Sequence, residues 1–288
     1  MDKYNPSENI ESISDTLVET CSSLVSAVPG TRTNAWKNFD EYTRGFRDRE
    51  FTIICGSTGS GKTTLLSNLS WHYLNLGVPH FVMSVENGRV DFMRRLISIE
   101  MNEDWNTGDP IPKEKVADFY RRFGQKYLSA KLIFSKYENR ISVENILSDL
   151  EHAHKNHGAK IAFMDNLNFF LEVTAASQQV IEMDRVIHEL IMFCKRTDIH
   201  LVLIMHPKKT ENTRVLSEFD IKGSSTAVQE AHNVFLFNRF SPDDIKAMPD
   251  LQNCRELTIS KMRRLGKYTG RRIIFDGSKP RYTEVGDT

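Results

Sequence analysis

"FTIICGSTGSGKT", Phe51 to Thr63, drives an apolar run straight into a glycine-rich turn ending in Lys-Thr. Its last eight residues fit G-x-x-x-x-G-K-[ST] in full, a pattern that arises by chance in a chain of this length roughly once in a hundred. The flanks sharpen the reading, because a hydrophobic strand enters the turn and a helix leaves it. Gly56, Gly59 and Gly61 let the backbone N–H groups of a loop that also holds Ser57, Thr58 and Ser60 turn inward around a phosphate. The helix start at Lys62, Thr63 and Thr64 adds its dipole. Lys62 is expected to bridge β- and γ-phosphates, and Thr63 to ligate Mg²⁺. The stretch predicts a site for ATP, or another NTP or dNTP.

Further apolar runs recur along the chain at 81–85, 131–134, 160–164, 200–205, 233–237, 256–260 and 272–275. Several lack strict alternation, which fits strands buried on both faces of a mostly parallel sheet. Helical spacing lies between them. Leu65, Leu66, Leu69, Tyr73 and Leu76 trace one face, stopped by Gly77 and Pro79, and residues 142–156 and 178–196 show the same period. The expected fold class is α/β: a mostly parallel, twisted central sheet flanked by helices.

Two of these strands end in acids and one in a histidine. "KIAFMDNL" delivers Asp165 to the carboxyl edge, where a carboxylate can reach a magnesium water shell or simply start a turn. "HFVMSVEN" ends in Glu86, which suits a general base polarising the attacking water, although a turn residue would look similar. "LVLIMHPKK" brings His206 to the same edge, as a γ-phosphate sensor or a satisfied polar group.

The 288 residues suit one large α/β domain with an appendage. Net charge is zero but uneven: residues 1–30 hold one Lys against five acids, and residues 239–281 hold eleven Lys/Arg against five acids. A basic C-terminal third allows a polyanion to bind one face. The four cysteines form no C-x-x-C pair and read as reduced core thiols in a reducing compartment. No apolar run approaches 18 residues, so no membrane span is expected. Residues 1–29 read as an N-terminal linker helix with Ile10, Ile13, Leu17, Cys21, Leu24 and Val25 on one face. That face either packs on its own domain or docks on a neighbouring subunit. Residues 30–288 form the nucleotide-binding domain.

"SKMRRLGKYTG", Ser260 to Gly270, packs Lys261, Arg263, Arg264 and Lys267 closely enough that an anion should be near. With the motifs in order, the chain resembles the RecA-like P-loop ATPase domain of DnaB-type hexameric replicative helicases, within them the branch of Twinkle and the phage primase-helicases. The likeness runs from about Gly30 to Val285 through "GSTGSGKTT", "SVEN", "IAFMDNLNFF", "LVLIMHPKK", "DIKGSSTAVQEAHNVFLFNR" and "SKMRR". It implies phosphate and Mg²⁺ binding by Lys62 and Thr63, Glu86 as catalytic base, Asp165 as magnesium acid and His206 as sensor. It also implies that Lys261 and Arg263 reach the ATP of the adjacent subunit, and that Arg239 and Phe275 sandwich the base. A solvated basic turn or a DNA contact is the competing reading of the cationic stretch.

Between His206 and Gly223 runs a long polar segment whose Lys208, Lys209, Arg214 and Lys222 are balanced by acids. Lys222 with the amides of Gly223 and Ser224, ahead of a helix start, suits a phosphate grip. The resemblance implies that this loop lines a channel holding single-stranded DNA, with residues 173–179 as a second channel loop, 5′ to 3′ movement, forked DNA as substrate, and a primase, polymerase or loader as partner. It further implies a homo-oligomer, a hexameric ring, in the cytoplasm of a bacterial or phage-infected cell. About 30 residues precede the ATPase region: as a full chain it would rely on another protein for primer synthesis, and as an excised helicase domain it would carry no such implication. A RecA-like recombinase and a KaiC-like or loader-type regulatory ATPase share the P-loop and remain as rival readings.

Overall fold

Every apolar run of the sequence becomes a strand of one nine-stranded sheet, ordered β3-β2-β4-β5-β1-β6-β7-β8-β9. The strands are β1 (Phe51–Cys55), β2 (His80–Ser84), β3 (Leu132–Phe134), β4 (Ile161–Asp165), β5 (His200–Met205), β6 (Asn233–Arg239), β7 (Cys254–Met262), β8 (Arg272–Asp276) and β9 (Thr283–Glu284). The computed structural model describes residues 13–25, 29–137, 141–166, 176–208, 216–221 and 225–286. β1 to β6 pair in parallel, and β7 to β9 complete the sheet antiparallel.

The parallel strands are fully buried because helices cover both faces. Phe51, Ile53 and Cys55 of β1 join a core formed with α6 (Val143–His157) and α7 (Ala176–Arg196). Ile54 faces the opposite core, which holds Leu65, Leu66, Leu69 and Tyr73 of α3 (Lys62–Asn75) and Phe92 and Leu96 of α4 (Gly88–Met101). That two-sided burial is why the runs do not alternate. The caps follow local chemistry: Ser142 accepts a hydrogen bond from Asn145 N at the start of α6, and Gly158, with φ of 69°, ends it.

The remaining helices are α1 (Ile13–Val25), α2 (Lys37–Thr43), α5 (Lys113–Leu128), α8 (Ser225–Glu230) and α9 (Pro242–Ala247). On α1, Ile13, Leu17 and Val18 are exposed, so these apolar positions do not pack on the domain that follows. Cys21, on the same helix, is also exposed, which corrects its reading as a core thiol; Cys55, Cys194 and Cys254 are buried. Among the described residues, no helix is long and apolar enough to cross a membrane.

Candidate active site

The carboxyl ends of β2, β4, β5 and β1 lie side by side in that order. Adjacent strands are about 5 Å apart, so residues that leave these four ends share one rim. From β1 the chain turns through Gly56 to Gly61 into α3. A Cβ at Gly56 would sit 2.3 Å from Phe237 O, and Gly61 has φ of 97° with Tyr282 Oη 2.8 Å from its missing Cβ. Only glycine fits at either place. Lys62 begins α3, is buried, and donates to Gly56 O (2.8 Å) and Ser57 O (2.9 Å). Burial lowers its pKa, opposed by the charges of Asp165 and Glu86 nearby.

Thr63 Oγ1 donates to Asp165 Oδ2 at 2.6 Å. Asp165 is 2% exposed. Burial raises its pKa, the Thr63 hydrogen bond lowers it, Glu86 raises it and Lys62 and Arg95 lower it. A hydroxyl and a carboxylate oxygen converging beside a phosphate cradle are hard oxygen donors and fit Mg²⁺, which takes few protein ligands and completes its shell with phosphate and water.

Glu86 follows β2 and His206 follows β5, and their side chains approach to 3.8 Å between Oε2 and Nε2. Asn166, which the sequence reading passed over, stands between them. Its Nδ2 donates to Glu86 Oε2 and lies 3.1 Å from His206 Nε2.

A cavity of about 500 Å³ opens over this rim, lined by Lys62, Thr63, Glu86, Asp165, His206 and Arg239 together with Arg95, Arg255 and Tyr282. Arg239 Nη2 lies 3.7 Å from where a Cβ on Gly59 would stand, at the P-loop side of the cavity. Phe275 does not reach the cavity. It is fully buried, its ring 4.6 Å from Trp36 and stacked on Tyr282 at 6.2 Å, because the alternation along β8 turns Ile273 and Phe275 into the core. Tyr282 is the aromatic side chain at the cavity wall. Arg95, another residue missed in sequence, shares a lining face of α4 with Ser98 and Ile99, and its Nε is buried without a hydrogen-bond partner. No local pattern in the sequence marked it.

The second cationic group lies elsewhere. Val234 of β6 pairs with Ile53 on one side and Lys261 on the other, which sets Lys261 and Arg263 toward the amino ends of the parallel strands, away from the cradle. Lys261 Nζ donates to Val228 O (2.7 Å) and Gln229 O (2.6 Å), and Arg263 Nη2 donates to Gln229 O (2.6 Å). Arg264 pairs with Glu50 at 3.3 Å, and Lys267 lies 4.8 Å from the Tyr268 ring centre. Of the residues expected to bind DNA, Lys208 is exposed beside the turn at 218–220 and donates to Phe219 O at 3.3 Å. Lys209, Arg214, Lys222, Gly223 and Ser224 lie outside the described residues, as do 173–175 of the second loop; residues 176–179 open α7.

Comparison with known proteins matches residues 30–284 to the DnaB-like helicase C-terminal domain family. The chain belongs to that family. Among curated relatives, this DnaB-like domain is 26% identical over 292 residues to the replicative DNA helicase DnaB of Helicobacter pylori (strain ATCC 700392 / 26695), covering 92% of this chain and 58% of that protein. It is 22% identical over 227 residues to the DNA helicase/primase of Enterobacteria phage T3, covering 75% of this chain and 39% of that protein. The chain thus spans less than two thirds of either relative. Among solved structures, an isolated ATPase domain superposes with a TM-score of 0.75 at 17% identity, over 96% of this chain and 99% of that one. A DnaB-like replicative helicase, solved in a study of its interactions with primase, gives 0.73 at 17% identity, over 95% and 67%. The fold is that of the DnaB-like, RecA-type ATPase domains.

Proposed function

We propose that residues 30–288 are the ATP-hydrolysing motor of a DnaB-like replicative helicase, and that residues 1–29 are a linker whose helix docks on a neighbouring copy. The family match beginning at residue 30 supports the division, and the exposed apolar side chains of α1 support the docking. The observation that carries the motor reading is the split of functional charge between two edges of one sheet. Phosphate-binding and water-activating groups stand at the carboxyl edge, and Lys261 with Arg263 stand toward the amino edge. Such a pair serves phosphate only across a heterologous contact, which closes into a ring, here six subunits, or runs on as a helix.

The reaction is ATP + H₂O → ADP + phosphate + H⁺. The P-loop amides and Lys62 hold the β- and γ-phosphates, with Arg95 and Arg239 as further cations in the cavity. Thr63 and Asp165 would hold Mg²⁺, which would neutralise charge on the β- and γ-phosphates. Glu86 takes a proton from water as its oxygen attacks the γ-phosphorus, and the bond to the β-phosphate oxygen breaks. His206 donates to the γ-phosphate. Arg263 and Lys261 of the adjoining copy meet charge that develops on the equatorial oxygens.

The polar loop from Lys208 to Ser224 would grip the phosphates of single-stranded DNA as the ring moves, 5′ to 3′ by analogy with the family, and open a fork. Contacts to the backbone make binding salt-sensitive and nearly sequence-independent. The names of its relatives support a primase as partner and a bacterial or phage-infected cytoplasm as location. The family placement favours this motor over a recombinase or a regulatory ATPase. The test combines ATPase rates with and without single-stranded DNA, unwinding of a forked duplex, and electron microscopy with an ATP analogue. Hydrolysis indifferent to DNA, or strand exchange without unwinding, would overturn the reading.

A further inference from the structure

We infer that Asn166 is a positioning residue that fastens the catalytic base Glu86 to the sensor His206, so that the two respond to the γ-phosphate as one unit. The inference rests on the hydrolytic reading of this site and extends it. Three facts carry it.

The first is topology. β4 lies between β2 and β5, so Glu86 and His206 leave strands roughly 10 Å apart and meet above the end of β4. A side chain just past Asp165 stands under both. The second is burial: Asn166 is 3% exposed, so its amide is held in the rim, and the surrounding chain fixes its direction. The third is donor and acceptor chemistry. The Glu86 carboxylate is an acceptor only, and Asn166 Nδ2 faces it. An amide nitrogen carries two hydrogens and no accepting lone pair, so the His206 Nε2 that lies 3.1 Å away must accept. Glu86 therefore sets the orientation of the amide, and the amide sets the tautomer of His206, a neutral ring with its proton on Nδ1.

This arrangement tethers Glu86 through Oε2 and leaves Oε1 to take the proton from water. It also keeps His206 from donating through Nε2 while Asn166 occupies that atom. A γ-phosphate oxygen that draws an N–H from Nε2 displaces the amide, the ring carrying a proton on that atom by shifting it from Nδ1 or taking one from solvent, and the hold on Glu86 shifts in the same movement. The base is thus aligned when the γ-phosphate is present, and ADP gives no such signal.

The test uses Asn166→Leu, which keeps the volume and removes both donors, and Asn166→Ser, which keeps one. Expected for Asn166→Leu is a fall in kcat of about 10- to 100-fold with the KM for ATP within about threefold of the parent. Binding of ADP–aluminium fluoride, which mimics the planar phosphoryl group with its water, should weaken in step with kcat, and binding of ADP–beryllium fluoride should not. Asn166→Ser should retain more activity than Asn166→Leu and serves alone if the leucine variant does not fold. Equal losses in KM and kcat, an unchanged kcat, or unchanged aluminium fluoride binding would each overturn the inference. Parent chain and Glu86→Gln run alongside. A parent that hydrolyses ATP and loses it with Glu86→Gln, beside a fully active Asn166→Leu, sinks the role of Asn166 alone; a parent without ATPase sinks the hydrolytic reading too.

Discussion

Mixing two inactive variants should restore activity if the ATP site is shared between copies. Lys261 lies two strands from β1 at the level of Ile53, and Gly56 is three residues further along β1. That amounts to about 10 Å along the strands and about 10 Å across, roughly 14 Å in all, with Arg263 farther still. Both side chains point to the end of α8. Within one chain, Arg263→Ala should therefore leave nucleotide binding unchanged. In an assembly it should cost about 10³-fold or more in rate, about 4 kcal/mol of transition-state stabilisation. Lys62→Ala should abolish tight nucleotide binding. In a one-to-one mixture, a site works when its P-loop comes from an Arg263→Ala chain and its arginine from a Lys62→Ala chain. Random head-to-tail assembly gives that pairing at about one quarter of the interfaces. Steady-state phosphate release should rise from background to that fraction of the parent rate, and fall again on dilution below the assembly concentration. A mixture that co-assembles by size-exclusion chromatography and light scattering yet stays at background would refute the shared site. So would a monomeric parent turning over at full speed.

Phe275→Ala should lower stability by about 4 kcal/mol, roughly 7 °C in Tm, since it empties a fully buried ring site, and Arg239→Ala should raise the KM for ATP without moving Tm; calorimetry and initial rates separate the two. The buried His72 and His80 are pushed down to about 4 and His200 to about 3, chiefly by burial. The unfolded chain binds these protons first as pH falls below about 6.5, so their contribution is complete above that pH and is lost toward pH 4 to 3, at about 2 kcal/mol each by pH 5. Thermal melts at pH 7 and pH 5 should show a lower Tm at pH 5, and equal values would contradict the assignment. Lys222→Glu should leave basal ATPase intact and remove its stimulation by single-stranded DNA, measured at fixed salt.

The strand ends were legible in the sequence because burial on both faces removes alternation and leaves short continuous runs. Asp165, Glu86 and His206 could be read from those runs alone, each being the first polar group after one. One helix limit followed from punctuation, at Gly77, and the helical period at 178–196 widened only to Ala176–Arg196. Phe275 misled because its position in a motif says nothing of which way a strand turns a side chain, and β8 turns it inward. Asn166, Arg95 and Tyr282 were hidden for a different reason. Their roles arise where β4, α4 and the segment after β8 converge, and no local period records that convergence. The apolar face of α1 was ambiguous in sequence, since helical spacing shows that a face must be covered but not by which chain.

On the proposed shared site, the partners of the cationic stretch from Ser260 to Gly270 decide whether a protomer is destabilised by charge held ready for a neighbour. Arg264 is paired with Glu50, and Lys267 rests on the Tyr268 ring. Lys261 and Arg263 instead satisfy carbonyls at the end of α8, groups that a helix always leaves unpaired and that favour positive charge. A phosphate oxygen carries negative charge that a neutral carbonyl lacks, so the same cation is drawn more strongly to phosphate. The pair is therefore held well enough to be ordered in an isolated chain, yet it gains by transferring to an anion when one is brought near. A carboxylate partner would have held it more tightly and set a higher barrier to transfer. Were the charge lent to an adjoining copy, as proposed, carbonyl partners would keep that loan reversible through repeated rounds of loading and hydrolysis.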